Sequence, residues 1–134
     1  MRPVAPMFKL YRFVDDDGVW WRMLSPNGRG IARATIAQPT HADSLAAIAL
    51  LVESMDLLRA AMYTTDRFRW RWVLTLEDEP VALGVGDQDR RVRCEQAWRK
   101  FVLNAPLASI DPTVHAHRRG TSSVARTPAL SRRR

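Results

Sequence analysis

The stretch Phe68-Arg69-Trp70-Arg71-Trp72-Val73-Leu74-Thr75-Leu76 alternates apolar and polar residues at a period of two. Successive side chains of a strand point to opposite faces, so Phe68, Trp70, Trp72, Leu74 and Leu76 share one face, and Arg69, Arg71, Val73 and Thr75 the other. A bulky apolar face backed by a mixed one is the pattern of a half-covered strand in a mostly antiparallel sheet. An earlier stretch, Val19-Trp20-Trp21-Arg22-Met23-Leu24, echoes it at an offset of 50, with Trp20 and Leu24 on Trp70 and Leu74 and Arg22 on Trp72. Trp21 and Met23 make the other face of that earlier strand apolar too, which predicts a strand covered on both sides or one that belongs to a contact surface.

The echo continues without a gap. Gly30-Ile31-Ala32 falls on Pro80-Val81-Ala82, Ala47-Ile48 on Ala97-Trp98, and Leu51-Val52 on Phe101-Val102. Each unit reads strand, turn, strand, helix, with a further strand before it. A repeat of this length is a supersecondary unit that cannot bury its apolar face alone, so two units facing one core follow. The predicted fold is α+β: two tandem β-β-β-α units sharing an antiparallel sheet, with helices packed on one face and a disordered C-terminal tail. The expected boundaries are a flexible arm over 1–6, unit one over 7–58, unit two over 59–112 in the same domain, and a disordered basic tail over 113–134.

Within this frame, Met7 to Val14 alternates and predicts the first strand, closed by an Asp15-Asp16-Asp17-Gly18 turn. Asn27-Gly28 is a hairpin signal between strands at 19–24 and 31–36. Thr40 with Asp43 three residues on resembles a capping box, and opens a helix to about Met55 with Leu45, Ile48, Val52 and Met55 on one face. Ala46, Ala47, Ala49, Leu50 and Leu51 broaden that stripe, so the helix is deeply buried or meets a partner. Residues 57–65 read weakly, as strand or helix extension. The strand at 67–76, a turn at Glu77-Asp78-Glu79-Pro80 and a strand at 80–85 follow. A second helix runs to about Leu103, burying Val92, Cys94, Ala97, Trp98, Phe101 and Val102. Leu107 to Ile110 reads as a short last strand, and past Asp111-Pro112 the pattern stops.

Net charge is +7, but residues 1–114 hold fifteen basic and fourteen acidic side chains, whereas residues 115–134 hold six arginines and no acid. Any electrostatic partner is therefore sought by the tail. A single cysteine, Cys94, excludes an internal disulfide framework and any multi-cysteine metal site in one chain, and implies a cytoplasmic, reducing setting. No run approaches about 20 apolar residues, so no membrane partner is expected. The three aspartates at 15–17 lack the spacing of a calcium loop. Gly28 and Gly30 lack the lysine and hydroxyl of a phosphate loop. His115 and His117 lack further metal ligands. No cofactor, metal or catalytic residue is expected, because no serine, cysteine or histidine sits in a local nucleophile or base context.

Phe8-Lys9-Leu10-Tyr11, Trp20-Trp21-Arg22-Met23-Leu24, Asn27-Gly28 and Ile31-Ala32 in unit one resemble the repeats of the YegP-like family, domain of unknown function 1508. Arg69-Trp70-Arg71-Trp72, Val81-Ala82 and Val102-Leu103-Asn104-Ala105 do so in unit two. The likeness spans about residues 7 to 110. Unit two departs from it in having Asp78-Glu79-Pro80 where the family has an Asn-Gly turn, and neither unit has the serine and tyrosine that usually follow the third strand. The resemblance implies tandem units with terminal strands exchanged between them, and it brings no catalytic residue.

These readings predict a non-enzymatic interaction module that binds a protein partner or forms a homodimer, with Trp21, Met23, Leu50 and Leu51 as interface residues. The alternative is nucleic-acid binding through the tail residues Arg118, Arg119, Arg126, Arg132, Arg133 and Arg134, helped by Arg69 and Arg71 on the sheet.

Overall fold

A computed structural model describes residues 5–118. Its elements are β1 (Met7–Phe13), β2 (Trp20–Leu24), β3 (Gly30–Ala34), α1 (His41–Glu53), β4 (Arg59–Thr64), β5 (Trp70–Leu76), β6 (Glu79–Gly84), α2 (Arg91–Asn104) and β7 (Ser109–His117), with 3₁₀ turns at Met55–Leu57 and Ala105–Leu107. All seven strands form one sheet in the order β4-β5-β6-β3-β2-β1-β7. β1–β2–β3 and β4–β5–β6 are antiparallel meanders joined at the centre by an antiparallel β3–β6 pair, and β7 returns to lie parallel to β1.

Both helices pack on one face of this sheet. Their buried residues Ile48, Leu51, Cys94 and Phe101 share a single core with Phe8, Leu10, Trp21, Met23, Ala32, Ala34, Trp72, Leu74 and Ala82. Phe101 is the keystone. It stacks on Trp21 at 6.5 Å and 5° and tilts against Trp72 at 5.5 Å, so one ring of α2 joins both meanders. Thr40 caps α1 as predicted, its Oγ1 accepting the Asp43 N–H at 3.0 Å. Arg90, in the same position before α2, makes no side-chain cap.

The pairings correct the ungapped offset. Trp21 stands opposite Leu10 as Trp72 stands opposite Met62, and Met23 opposite Phe8 as Leu74 opposite Ala60. The correspondence is therefore 52 residues in the first strands, 51 in the second and 50 in the third, where Ala32 matches Ala82. A one-residue slip exchanges the two faces of a strand. Trp21 and Met23 accordingly face the helices, 3% and 0% exposed, and are core. Leu51 is core as well, so three of the four residues read as an interface lie in the interior, with Leu50 alone exposed on α1.

Three further expectations change. Phe68 does not continue β5: it sits in the β4–β5 turn at φ 61° and is 84% exposed. Val92 lies on the solvent side of α2. The chain does not lose structure at 113, because β7 runs on to His117, past Pro112, with Pro112 and Thr113 accommodated in a bulge opposite Lys9/Leu10. Residues 57–65, ambiguous in sequence, contain β4. Residues 1–4 of the arm and the rest of the tail, including Arg119, Arg126, Arg132, Arg133 and Arg134, lie outside the described residues. No helix among the described residues is long and apolar enough to cross a membrane.

Candidate interaction surfaces

The two meanders present a second sheet face, opposite the helices. Cross-strand partners share a face, and the registers set Lys9, Arg22, Arg33, Leu83, Val73 and Ala61 side by side across six strands. Tyr11 pairs with Trp20 at one side of this row and Tyr63 with Arg71 at the other. Val73 and Leu83 are buried here although no helix covers them, which fits long arginine stems lying beside them. The Arg22 guanidinium lies 5.6 Å from the centre of the Tyr11 ring. Burial pushes the Tyr11 and Tyr63 hydroxyls up, against the opposing pull of Arg33 and Arg22 on the first and chiefly of Arg71 on the second. Burial also draws the Arg33 guanidinium below its ordinary range; Arg71 acts in the same direction, and Tyr11 and Tyr63 oppose it.

Among the described residues, the carboxylates Asp87 and Asp111 stand at the margins of this face. Asp87 accepts from Arg69 Nε at 2.9 Å and lies 3.9 Å from Arg71, both arginines being more than a third exposed. Asp111, opposite Lys9, accepts the Thr113 N–H at 3.0 Å, and this bond chiefly holds its carboxyl below the usual range. The Nε atoms of Arg22 and Arg71 are buried without a hydrogen-bond partner among the described residues. The structure thus sets Arg69 and Arg71 at the rim of a basic sheet face to which sequence reasoning had not assigned Arg22 and Arg33. The signal for those two was their alternation with core residues, readable only once the register was known.

The two ends of the sheet differ. β7 carries Pro112, which removes a backbone donor, together with a bulge and the polar residues Asp111, His115 and His117. These are devices that discourage edge pairing. His41 Nε2 also meets the Pro112 carbonyl at 2.7 Å and ties α1 to this edge. β4 has neither proline nor bulge, and its one charged residue, Arg59, stands at its first position. It pairs with β5 in an unbroken register, its middle is Ala60-Ala61-Met62, and no strand among the described residues pairs with its outer side. The outer side of β1, which holds the corresponding place in the first meander, is covered by β7.

A groove of about 650 Å³ lies between the β2–β3 hairpin and α2, lined in part by Pro26, Trp70, Trp72, Ala97, Lys100 and Asn104. The described residues assemble no group of three or more His, Cys, Asp or Glu side chains placed to hold a metal ion. Cys94 lies in the core, and burial raises its thiol above the ordinary value.

No protein-family model matches the chain, and no curated protein matches it in sequence. Two solved structures resemble it. A UPF0339 protein from Shewanella oneidensis matches with a TM-score of 0.63 at 10% identity, over 84% of this chain and 91% of its own. The protein yegP from E. coli, described as of unknown function, matches with a TM-score of 0.65 at 11% identity, over 87% of this chain and 98% of its own. Both were determined in solution by NMR. The likeness is one of fold: the chain has a YegP-like α+β architecture.

Proposed function

We propose that this chain is a small interaction module, a tandem duplication of one β-β-β-α unit, that works by binding rather than catalysis and self-associates through the outer edge of β4. The observation that carries the reading is the contrast between a guarded β7 edge and an unguarded β4 edge in the same sheet. Exposed backbone N–H and C=O groups on an edge without proline or bulge, charged only at its first residue Arg59, are a template for another strand. Two β4 strands meeting antiparallel about a two-fold axis would extend the sheet to fourteen strands with a self-complementary contact. A six-residue edge is a small interface, so the expected dissociation constant is about 10–100 µM. A reducing cytoplasm suits the buried, single Cys94.

Sedimentation velocity from about 10 µM to 1 mM tests this. The chain should pass from monomer to dimer across that range, with amide-exchange protection of residues 59–64 rising in step. Ala61→Lys, which places a charge on the exposed edge strand, should hold it monomeric without changing its fold. A monomer throughout, or an A61K variant that dimerises like the parent, would refute the reading. The second reading, phosphate binding by the arginines of 118–134, draws on their segregation from every acidic residue.

A further inference from the structure

The helix-free sheet face does something the β4 edge does not. We infer that it binds the backbone of single-stranded nucleic acid, with Lys9, Arg22, Arg33 and Arg71 tracking the phosphates and Phe68 stacking a base at the β4–β5 turn. Three independent observations converge on it.

The first is charge. Lys9, Arg22 and Arg33 form a cationic row across β1 to β3, two strand spacings or about 10 Å, and Arg71 stands on the same face of β5, two residues from Val73. The carboxylates beside it, Asp87 and Asp111, are at its two ends and are engaged by Arg69 and by Thr113. A like-charged row costs free energy in the free protein, and Arg71 indeed disfavours the charged form of Arg33. An anionic chain laid across the row relieves that cost and releases its own counterions. Guanidinium groups suit phosphate because their planar fork donates two parallel hydrogen bonds.

The second is the donor inventory. Arg22 and Arg71 each hold a buried Nε–H without an acceptor among the described residues. A buried donor left unmatched is costly, and a phosphate that draws the partly exposed guanidinium outward brings an acceptor oxygen to it.

The third is Phe68. A bulky residue in the left-handed region is uncommon, and one that is also 84% exposed gains nothing from packing. It stands between Arg67 and Arg69, in the turn next to the Tyr63–Arg71 pair. An exposed ring beside a cationic track is the arrangement that stacks unpaired bases without reading their sequence. An acidic polypeptide would use the arginines but has no flat group for Phe68, so nucleic acid is the occupant that accounts for all three.

The test is fluorescence anisotropy of labelled dT12 and rU12 with the full chain at several salt concentrations. Four proteins are compared: the parent, Arg22→Gln/Arg71→Gln, Phe68→Ala, and a variant with the six arginines of 118–134 changed to Gln. Removing two phosphate contacts should weaken binding about tenfold and lower the slope of log K against log salt by about 1.4. F68A, a change at an exposed turn, should weaken binding about tenfold with the slope unchanged. The tail variant should keep the sensitivity to both changes. Circular dichroism separates lost binding from lost fold, and F68A remains informative if the double variant does not fold. Equal binding by the parent, the double variant and F68A, or no binding at low salt, overturns the inference. So does displacement of the oligonucleotide by poly-glutamate at equal charge, which would identify an acidic protein as the partner. None of these outcomes depends on whether the chain dimerises.

Discussion

Gly84 should be the least replaceable small residue of the sheet, for a reason of space. It lies on β6 beside Trp72, and a Cβ built on it would stand 2.5 Å from Trp72 Nε1, 2.6 Å from Cε2 and 2.9 Å from Cδ1. Real Cβ contacts are ordinarily 3.4 Å or more, so the ring or the strand has to shift by nearly 1 Å. The indole has little room to do so: it is 4% exposed and lies against Phe101, which itself stacks on Trp21. Overpacking a filled core costs about 1–3 kcal/mol. Alanine recovers about 0.4–1 kcal/mol by restricting the unfolded chain. The net expectation for Gly84→Ala is a loss of about 1.3 kcal/mol, or about 5 °C in Tm for a domain of this size. Urea unfolding followed by tryptophan fluorescence and far-UV circular dichroism measures it. Trp72→Phe in the same chain should relieve the clash, so the double variant should be less destabilised than the two single losses combined, by about 1 kcal/mol or more. A neutral or stabilising G84A, or strict additivity with W72F, would refute the reasoning.

Two further expectations concern the helix ends and the last strand. Thr40→Ala should cost about 1 kcal/mol, while Arg90→Thr, supplying the cap that α2 lacks, should add about 1 kcal/mol; opposite shifts in urea midpoint check the pair. Burial, with Arg22 and His115 nearby, holds His117 below its ordinary 6.5. The unfolded chain therefore takes up the proton first, so stability present above about pH 6.5 is lost as pH falls through the folded value. Urea midpoints between pH 7.5 and 5 should show this decline, and His117→Gln should flatten it.

Much of the fold was legible locally. The period-two stretch at 70–76, the Thr40 cap, the Asn27-Gly28 turn and both helices are set by nearest neighbours in sequence, and each is where the pattern puts it. What was not legible depends on distant parts of the chain. β7 contains a proline, which reads as a stop, yet β1 supplies a partner strand about 100 residues away and a bulge takes up Pro112. Trp21 and Met23 read as surface because two loops of the first meander are each one residue longer than their counterparts, and a count of residues cannot show on which strand face that slip is absorbed. Phe68 prolonged the alternation by one step because a turn residue carries no mark when it is aromatic. The basic face was half legible: Arg69 and Arg71 stood out beside tryptophans, while Arg22 and Arg33 belong to other strands and join them only through the β3–β6 pairing.

The parallel pairing of β1 with β7 has a consequence for the chain as it is made. Translation proceeds at about 5–20 residues per second, so about 5–20 seconds separate the emergence of β1 from that of β7. Until β7 emerges, the outer side of β1 stays bare, and once β6 has paired with β3 the nascent sheet carries it together with the bare edge of β4. A neighbouring nascent chain, or a chaperone that recognises extended backbone, meets the molecule in a state that the finished domain never revisits. Synonymous changes that slow decoding between residues 85 and 117 would prolong it, and should raise the aggregated fraction during synthesis while leaving the stability of the purified domain untouched.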